Sequence, residues 1–525
     1  MTRRRLCTLL LVSLAASGAP LPTFEQLRTQ LPEPVLDSKP AWIEAYWKAW
    51  ELATRNFHVP APGSGFPARF IDAAFSDNIY FWDTCFMTMF CNVGGKLVPG
   101  IESLDNFYAK QHADGEIARE IVRATGEDYF KWVNTERRPF FSRWGWDGFG
   151  PKMKVLGPDD PVEYIGRKPP QRLPDLTLDS LNHPIAAWAE MESYRYTGDL
   201  RRLRRVFPRL DAYYRFLHEH LRQGNGLFIT DWASMDDSPR NIYLKGGGTG
   251  VDISAEMVLF AREMAEMAVL IGRPSDAKSY ERDAADVGRR INERMWNPAK
   301  KFYVDLKANG EQAPVKTIAG FWPLLAGVAS KVRAAALMDH LTNPNTFGRP
   351  QRVPTSAADE PAYHAGVYWQ GAVWAPTNTM VIRGLERYER PDLARDIALN
   401  HIETVSATLQ KTGTIWENYS PDEPAPGRPA RKDFVGWSGI GPILYLLEYG
   451  IGLKPDAQHN RLEWNIPKGS GAIGCRRYRF AGRVVDLIAK DGVLRIGSDG
   501  EFELRLRSAT LQVKAGKSEF PIERR

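Results

Sequence analysis

The chain has 525 residues, of which 43% are hydrophobic, so it is long and apolar enough to build a substantial globular core. Its 69 basic and 63 acidic residues leave a net charge of +6, and the absence of a basic stripe argues against a nucleic-acid partner. Sixteen tryptophans is a high number, typical either of an aromatic core or of a cleft lined by indole rings.

The N-terminus has the pattern of a secretory signal peptide. Three arginines at positions 3–5 precede an apolar run from Leu6 to Ala16, and small residues follow at 17–19. The run is too short to span a bilayer, and no later segment is long and apolar enough to do so. We therefore expect cleavage after residue 19 and a mature protein that is secreted or periplasmic, with no membrane contact.

The first third of the mature chain mixes helical and irregular segments. An amphipathic helix is predicted over Trp42–Thr54, and a loop carrying Trp82 and Asp83 is expected to lead into a buried helix. Two short helices are expected within residues 99–135. A long irregular section follows at 136–176, and its aromatic content favours a functional loop. This section contains the sequence RWGWDG, with Trp144, Trp146 and Asp147.

Three cysteines remain after signal removal. Cys85 and Cys91 lie among phenylalanines and methionines, which favours buried free thiols. An odd number of cysteines, completed by Cys475, argues against a disulfide framework. No cysteine or histidine cluster has zinc-ligand spacing, and no calcium loop is recognisable, so no metal or cofactor is predicted.

From residue 177 onwards the period of the apolar residues is helical, and a catalytic domain over 20–455 is expected. No βαβ alternation and no exact repeat appears, so the count of helices favours a closed double ring whose long loops gather at one end. The last residues, 456–525, alternate apolar and polar positions between turns and predict a small antiparallel β domain. The predicted helices span 177–197, 203–221, 251–271, 274–295, 315–326, 329–342, 367–386, 391–411 and 437–450.

Two distant segments carry the candidate chemistry. Residues 231–240 (DWASMDDSPR) concentrate three carboxylates, those of Asp231, Asp236 and Asp237, and a glycine-rich loop follows at 246–250. Residues 414–419 (TIWENY) place Glu417 beside Trp416. Hydrolysis of an acetal needs one carboxylic acid to protonate the leaving oxygen and a second carboxylate to activate water or attack directly. A neighbouring indole raises a carboxyl pKa by desolvation and stacks on a sugar ring. We interpret the two segments as halves of one hydrolytic site.

The order of four motifs resembles that of the trehalase-like glycoside hydrolases. The motifs are Trp82-Asp83, residues 234–240 (SMDDSPR), residues 368–376 (YWQGAVWAP) and residues 416–419 (WENY). Together they resemble glycoside hydrolase family 63 and its bacterial mannosylglycerate hydrolase relatives, with the trehalases of family 37 more distant. The resemblance covers roughly residues 75–450. It implies a mostly α fold, a six-hairpin (α/α)6 toroid, and hydrolysis of an α-linked sugar with inversion of the anomeric configuration.

Carried over to this sequence, the resemblance implies that Asp236 is the general acid and Glu417 the general base. Arg240 is expected either to contact a substrate hydroxyl or to hold a carboxylate in place. Relatives often have Asn at the position of Asp237, so the acid among the three aspartates is left open. The Gly-Gly-Arg-Phe signature of trehalases is absent, which argues against trehalase activity. The residues predicted to bind substrate are Trp82, Asp83, Trp144, Trp146, Asp147, Arg240, Trp369, Gln370, Trp374 and Trp416.

Two other classes of function are compatible with the sequence. A polysaccharide lyase on the same toroid commonly uses a tyrosine and a histidine, and Tyr363-His364 is the pair that fits this alternative. A non-catalytic carbohydrate-binding protein is the other, although binding alone does not need two acids. The sequence leaves open the sugar, the linkage, the chain length, a structural calcium and the oligomeric state.

Overall fold

The computed structural model describes residues 21–74, 76–128, 182–230, 235–244, 248–469 and 471–522. Most elements of its first 450 residues are helices. Short 3-10 segments occur at Asn92–Leu97, Ile318–Phe321, Trp437–Ile440 and Ala457–His459, and Gly441–Ile451 is wound as a π-helix. The α-helices are Phe24–Arg28, Pro40–Thr54, Phe81–Cys91, Ser103–Ala109, Ala186–Thr197, Leu200–Leu221, Asn241–Leu244, Val251–Leu270, Pro274–Arg294, Trp322–Leu325, Lys331–Thr342, Tyr368–Gly371, Ala375–Arg387 and Pro391–Thr412.

Six helical segments of the described chain form a closed sequence of contacts. Each packs against the next one in chain order, and the last packs against the first. We call them ring helices 1 to 6: Phe81–Cys91, Ala186–Thr197, Val251–Leu270, Trp322–Leu325, Ala375–Arg387, and Trp437–Ile440 continued by Gly441–Ile451. Every residue of ring helix 1 and every residue of Gly441–Ile451 is buried. A helix that is apolar all round belongs inside a protein, so the ring helices form the core.

Longer, more polar helices cover the ring. Pro274–Arg294 packs along ring helix 3, Pro391–Thr412 packs on ring helices 5 and 6, and Leu200–Leu221 packs on ring helices 2 and 3. Leu200–Leu221 buries residues such as Leu203, Phe207 and Leu210 on one face. This one-sided burial is typical of a helix between a core and solvent.

The C-terminal residues form the predicted β region, in two sheets. One is antiparallel with the order β1-β10-β11-β12-β15, and the other has the order β14-β13-β9-β8, in which β9 and β13 run parallel. Three two-stranded pairs lie elsewhere, β2-β3, β4-β5 and β6-β7. Numbered β1 to β15 in chain order, the strands are Glu33–Leu36, Phe57–His58, Phe70–Ile71, Asn78–Tyr80, Glu120–Val122, Trp296–Asn297, Phe302–Tyr303, Leu453–Asp456, Arg461–Trp464, Ile473–Phe480, Arg483–Lys490, Val493–Ser498, Phe502–Leu506, Thr510–Val513 and Gly516–Pro521.

An N-terminal strand completes the larger sheet. Strand β1 pairs antiparallel with β10, with Val35 opposite Gly474. Burial alternates along β1: Pro34 and Leu36 are buried, whereas Glu33 and Val35 are only partly buried. Backbone hydrogen bonds thus join this N-terminal strand to the C-terminal β region. The division of the chain at residue 455 stays a prediction, and the structure adds that strand β8 spans that position.

Three local expectations are wrong. Ring helix 1 begins at Phe81, so Trp82 and Asp83 lie in its first turn and not in a preceding loop. Within the described part of 99–135 the structure has one α-helix, Ser103–Ala109, followed by strand β5. The helix predicted over 367–386 is broken at 372–374, because Val373 exchanges both backbone hydrogen bonds with Tyr419 at 2.8 and 3.0 Å.

The cysteines agree with the sequence. Cys85, Cys91 and Cys475 are free and buried, which confirms the expectation of buried thiols for the first two. Among the described residues, no helix combines the length and the hydropathy needed to cross a bilayer.

Candidate active site

Aromatic side chains from the N-terminal ends of several ring helices meet at one place. Trp82 lies in the first turn of ring helix 1, Trp374 immediately precedes ring helix 5, and Trp437 begins ring helix 6. The ring centroids of Trp82 and Trp437 are 6.4 Å apart, and those of Trp374 and Trp437 are 5.7 Å apart. His183, just before ring helix 2, lies 5.4 Å from Trp82. Helix N-termini favour nearby negative charge, so this aromatic end of the ring is suited to hold carboxylates.

The backbone of Glu417 is fixed at this aromatic end. Its N–H donates to the carbonyl of Arg431 at 3.0 Å. Its own carbonyl accepts hydrogen bonds from the indole N–H of Trp437 and the hydroxyl of Ser438, each at 3.2 Å. Because the main chain is held on both sides, the direction of the side chain is fixed before any ligand arrives.

The carboxyl group of Glu417 is nearly removed from water. The residue is 3% exposed, and its Oε2 accepts a hydrogen bond from the backbone N–H of Arg431 at 3.1 Å. The pKa of Glu417 is raised to about 7: burial raises it most, the N–H and guanidinium of Arg431 lower it, and the negative charge of Asp236 raises it. A carboxylate with a pKa near neutrality accepts a proton from water more readily than an ordinary one.

The raised pKa of Glu417 predicts a pH-dependent stabilisation by Glu417→Gln. The pKa of Glu417 is above its ordinary value of 4.5, so its contribution to stability is complete below about pH 4.5 and is lost as the pH rises through about 7. Glutamine has no proton to lose. We expect the unfolding free energy of the variant, relative to the wild type, to increase by ~1–3 kcal/mol between about pH 5 and about pH 8 in chemical denaturation. A difference that stays constant with pH would contradict the buried, raised carboxyl.

Asp236 lies within electrostatic range of the other site acids. Its negative charge raises the pKa of Glu417 and of Asp83, and also that of the Tyr368 hydroxyl. The side-chain amide of Asn241 donates to the carbonyls of Met235 and Asp236 at 2.8 and 3.0 Å, which fixes the backbone that presents the carboxylate. Asp236 is half-buried. The structure therefore brings the two predicted catalytic acids into one site.

Asp237 makes contacts that distinguish it from Asp236. One of its oxygens accepts the backbone N–H of Trp369 at 2.8 Å, and the other accepts the side-chain amide of Gln370 at 3.1 Å. Burial raises the pKa of Asp237, and these hydrogen bonds lower it. Both oxygens thus hold the 368–371 segment in place, which leaves Asp236 as the better candidate for proton transfer. Asp231 lies outside the described residues.

Asp83 is a third acid of the site. It is 7% exposed, in the first turn of ring helix 1. Burial raises its pKa to about 7, Arg119 lowers it, and the charges of Glu120 and Asp236 raise it. A buried acid beside Trp82 is suited to hold a sugar hydroxyl, which stays a prediction for Asp83, and its position makes it a first-turn acid of the helix.

Arg240 requires a correction. The prediction that it contacts substrate is wrong for this structure, because its side chain is completely buried. Its Nε and Nη2 donate to the two oxygens of Asp305 at 2.9 Å each, and its Nη1 and Nη2 donate to the two oxygens of Asp252. The alternative expectation, that it holds a carboxylate in place, is met, but the carboxylates are not the proposed catalytic ones. Arg240 attaches the segment bearing Asp236 to the start of ring helix 3.

The tryptophans that were predicted to bind substrate make different contacts in the structure. Trp374 is 1% exposed and stacks on Trp369, with ring centroids 4.2 Å apart and planes 13° from parallel. Its indole N–H donates to the carbonyl of Tyr368 at 3.0 Å, so the buried Trp374 holds the 368–371 segment in place. Trp416 is half-buried, and its indole N–H donates to Thr412 at 2.9 Å. Trp144, Trp146 and Asp147 lie outside the described residues.

The sequence reasoning missed several residues at the site. Trp437 contacts two other site tryptophans and binds the carbonyl of Glu417, and Arg431 is the cation nearest the Glu417 carboxyl. His183 donates or accepts at Glu256 across 2.7 Å, and Trp322 donates to the same carboxylate, also at 2.7 Å. Trp437 had one available signal, since it starts a helix as Trp82 does. The others are separated too far in sequence from their partners to be recognised.

Comparison with known proteins gives the class of this site. The family described as the mannosylglycerate hydrolase MGH1-like glycoside hydrolase domain matches residues 147–438, more than half of the chain. The matched part of the chain is therefore a glycoside hydrolase domain, which agrees with a site that combines carboxylates and indole rings. More particularly, the chain belongs to the MGH1-like family and resembles the glycosidases of glycoside hydrolase family 63.

Several relatives are similar in sequence to part of this chain. An uncharacterized protein of Borreliella burgdorferi is 29% identical over 308 residues, which are 56% of this chain and 64% of that protein. A mannosylglycerate hydrolase of Thermus thermophilus is 32% identical over 194 residues, which are 36% of this chain and 44% of that protein. Mannosylglycerate hydrolase MGH1 of Selaginella moellendorffii is 38% identical over 117 residues, 21% of this chain and 22% of that protein. The matched region spans less than two thirds of the length of each of these relatives.

Solved structures show the same fold. The glycoside hydrolase family 63 mannosylglycerate hydrolase from Thermus thermophilus, solved with glucose, superposes with a TM-score of 0.55 at 20% identity, over 76% of this chain and 98% of that one. A glycoside hydrolase family 78 rhamnosidase from a Bacillus species superposes with a TM-score of 0.57 at 14% identity, over 89% of this chain and 42% of that one. The likeness at these identities concerns the fold alone.

Among the described residues, no group of three or more histidine, cysteine, aspartate or glutamate side chains is arranged to hold a metal ion.

Proposed function

We propose that the protein is an inverting glycosidase that cleaves an α-linked glucoside or mannoside. Asp236 is the general acid that protonates the leaving oxygen, and Glu417 is the general base that takes a proton from water. The observation that carries the proposal is the buried carboxyl of Glu417, whose pKa of about 7 depends in part on the charge of Asp236. Two carboxyl groups that influence each other at an aromatic-walled site are what this chemistry requires.

The pair of acids is suited to divide the two roles. Repulsion between the two carboxylates disfavours the state in which both are charged, so the charge on Asp236 raises the pKa of Glu417. Inversion needs one protonated and one ionised member. The hydrogen bond from the backbone N–H of Arg431 and the charge of its guanidinium favour the ionised form of Glu417, which supports its role as the base.

We also propose that the helices form a six-hairpin toroid. Its support is the closed sequence of contacts through ring helices 1 to 6 and the covering helices outside them. The aromatic end of the ring is then the mouth of the toroid. This arrangement explains why the acids come from segments about 180 residues apart, because the segments at one end of a closed ring face the same central opening.

The substrate class is tested with a panel of glycosides. The mannosylglycerate hydrolases among the relatives suggest mannosylglycerate and simple α-mannosides, and the resemblance to family 63 adds α-glucosides. We expect hydrolysis of an α-mannoside or α-glucoside, and little hydrolysis of trehalose or of β-linked isomers. Failure to cleave any α-glycoside by a folded protein would refute the proposal, and unsaturated uronates among the products would indicate the lyase alternative.

Arg431→Met is expected to move the acid limb of the pH profile to higher pH. The cation lowers the pKa of Glu417, so its removal raises that pKa and keeps the base protonated over a wider range. In the wild type, kcat/KM is expected to fall as the pH drops through about 7, because Glu417 becomes protonated. The control is Lys432→Met, which removes a neighbouring exposed cation and is expected to leave the limb in place. An unshifted limb in Arg431→Met contradicts the assignment of the base.

We propose that the protein is exported. The support is the charged, apolar and small-residue order of positions 1–19. Intact-mass measurement of the protein from a bacterial host is expected to show a mature N-terminus near residue 20 in the periplasm or medium. An uncleaved cytoplasmic product would overturn this proposal without affecting the enzymatic one.

A further inference from the structure

A second concavity lies at the end of the ring opposite the aromatic site. We call it the floor cavity. It has a volume of about 620 Å³, within the range of pockets for small molecules. It begins where ring helices 1 and 2 end, and the β10–β11 hairpin closes one side. The residues around it are Asn92, Gly95, Lys96, Tyr196, Thr197, Gly198, Asp199, Leu200, Arg201, Arg479, Phe480, Ala481, Gly482 and Arg483.

Three tight turns shape the floor cavity. They are the 3-10 segment that follows ring helix 1, the turn that follows ring helix 2, and the β10–β11 hairpin. Gly198 ends ring helix 2 with φ +64°, and Gly482 turns the hairpin with φ +77°. Turns built on glycine present backbone and little side chain, so a space remains between the helical and β regions that large side chains do not fill.

The charge of the floor cavity is strongly unbalanced. Its basic side chains are Lys96, Arg201, Arg479 and Arg483, and its single carboxylate is Asp199. That carboxylate already caps the helix Leu200–Leu221, since it accepts the backbone N–H groups at its start. Within the described chain, no carboxylate oxygen lies at ion-pair distance from Lys96, Arg479 or Arg483. The cavity thus lacks the anion that its own side chains would bind.

Two buried donors of the lining also lack an acceptor. Asn92 is 8% exposed, and its side-chain amide nitrogen has no hydrogen-bond partner among the described residues. The Nε of Arg479 is likewise buried and unpartnered there, although its Nη2 donates to the carbonyl of Gln30 at 3.2 Å. Buried donors are normally satisfied, and the group missing here is an acceptor. This observation is independent of the count of charges.

A neighbouring cavity shows that the imbalance is particular to this one. It holds four glutamates and four basic residues, which pair with one another. It shares Tyr196 with the floor cavity, and the Tyr196 hydroxyl donates to Glu448 on that side. Its charges balance, so it has no comparable demand for an anion. Its glutamates and basic residues are Glu192, Glu263, Glu386, Glu448, Arg195, Arg383, Arg387 and Lys454.

We propose that the floor cavity binds a small soluble organic molecule that carries an oxyanion, either a phosphate or a carboxylate. Lys96, Arg479 and Arg483 neutralise the oxyanion. The volume accommodates about one or two sugar rings. Along ring helix 1, nine residues separate Asp83 from Asn92 at the cavity, a distance of about 13 Å, so the ligand occupies a site distinct from the catalytic one.

Isothermal titration calorimetry tests this site at constant ionic strength. The probes are inorganic phosphate, glucose 6-phosphate, glucuronate and glucose. We expect glucose 6-phosphate to bind more tightly than inorganic phosphate, and glucose not to bind at this site. The comparison of glucose 6-phosphate with glucuronate identifies which oxyanion the cavity prefers. A titration with no heat for either charged sugar overturns the proposal.

Variants locate the binding. The double variant Lys96→Gln/Arg483→Gln is expected to weaken binding of glucose 6-phosphate by roughly tenfold or more, with hydrolysis in the absence of the anion unchanged. The matched control is Arg495→Gln, an exposed arginine of β12 that pairs with Glu519 and lies outside the cavity. Unchanged binding in the double variant, or an equal loss in the control, overturns the assignment to the floor cavity.

Discussion

Asp236→Asn and Glu417→Gln are each expected to lower kcat by about a thousandfold or more on an α-glycoside whose leaving oxygen needs protonation, with the fold intact. Asparagine cannot donate a proton to the leaving oxygen as a carboxylic acid does, and glutamine cannot accept one from water. Both replacements preserve side-chain shape, so circular dichroism should stay unchanged. Activity close to that of the wild type in either variant would exclude that residue from proton transfer.

The leaving group separates the two roles. A glycosyl fluoride departs without protonation, so Asp236→Asn should retain much of its activity on an α-glycosyl fluoride. Glu417→Gln should remain inactive on the fluoride, because water still needs a base. The matched control is Asp237→Asn, which keeps an oxygen for the N–H of Trp369 and is expected to remain within about tenfold of the wild type. A larger loss in Asp237→Asn than in Asp236→Asn would transfer the acid role to Asp237.

Arg240→Met is expected to destabilise the fold by about 3–5 kcal/mol. The guanidinium is fully buried between Asp252 and Asp305, so its removal leaves two buried carboxylates without their cation. Thermal denaturation should show a lower Tm, with loss of activity because the segment bearing Asp236 is no longer attached to ring helix 3. The exposed Arg289 offers a control, since Arg289→Met removes only exposed ion pairs and should leave the Tm nearly unchanged.

Neutralising the partners should restore part of that loss. Replacing Asp252 and Asp305 by asparagine together with Arg240→Met removes the unpaired charges, and the triple variant is expected to be more stable than Arg240→Met alone. Arg240→Lys should not restore the wild-type stability, because one ammonium cannot reproduce the planar contacts of a guanidinium to two carboxylates. If Arg240→Met is as stable as the wild type, Arg240 does not hold the segment.

The helices could be predicted because their signal is local. Val251–Leu270 and Pro391–Thr412 repeat apolar residues with a helical period, and the observed bounds lie close to those predicted from that period. The break at 372–374 could not be predicted, because it depends on hydrogen bonds between Val373 and Tyr419. Strand β1 was missed for the same reason, since its partner strand β10 lies at the other end of the chain.

The candidate site was predictable where residue types alone carry chemistry. Trp82, Asp83, Asp236 and Glu417 were named from the sequence, and the structure brings their segments together. The part played by Arg240 was not predictable, because Asp252 and Asp305 lie 12 and 65 residues away and only the fold joins them. Burial, which raises the pKa of Glu417, also belongs to the fold. The amino-acid composition therefore predicts neither the partners of Arg240 nor the burial of Glu417.

The most direct test of the two-carboxylate proposal is the anomer released first. Proton NMR, recorded within the first minutes of hydrolysis of an α-mannoside or α-glucoside, distinguishes the newly released anomer before mutarotation. Attack by a water that Glu417 activates, on the face opposite the leaving group, predicts release of the β anomer. Initial release of the α anomer would contradict the assignment of Glu417 as a base acting on water.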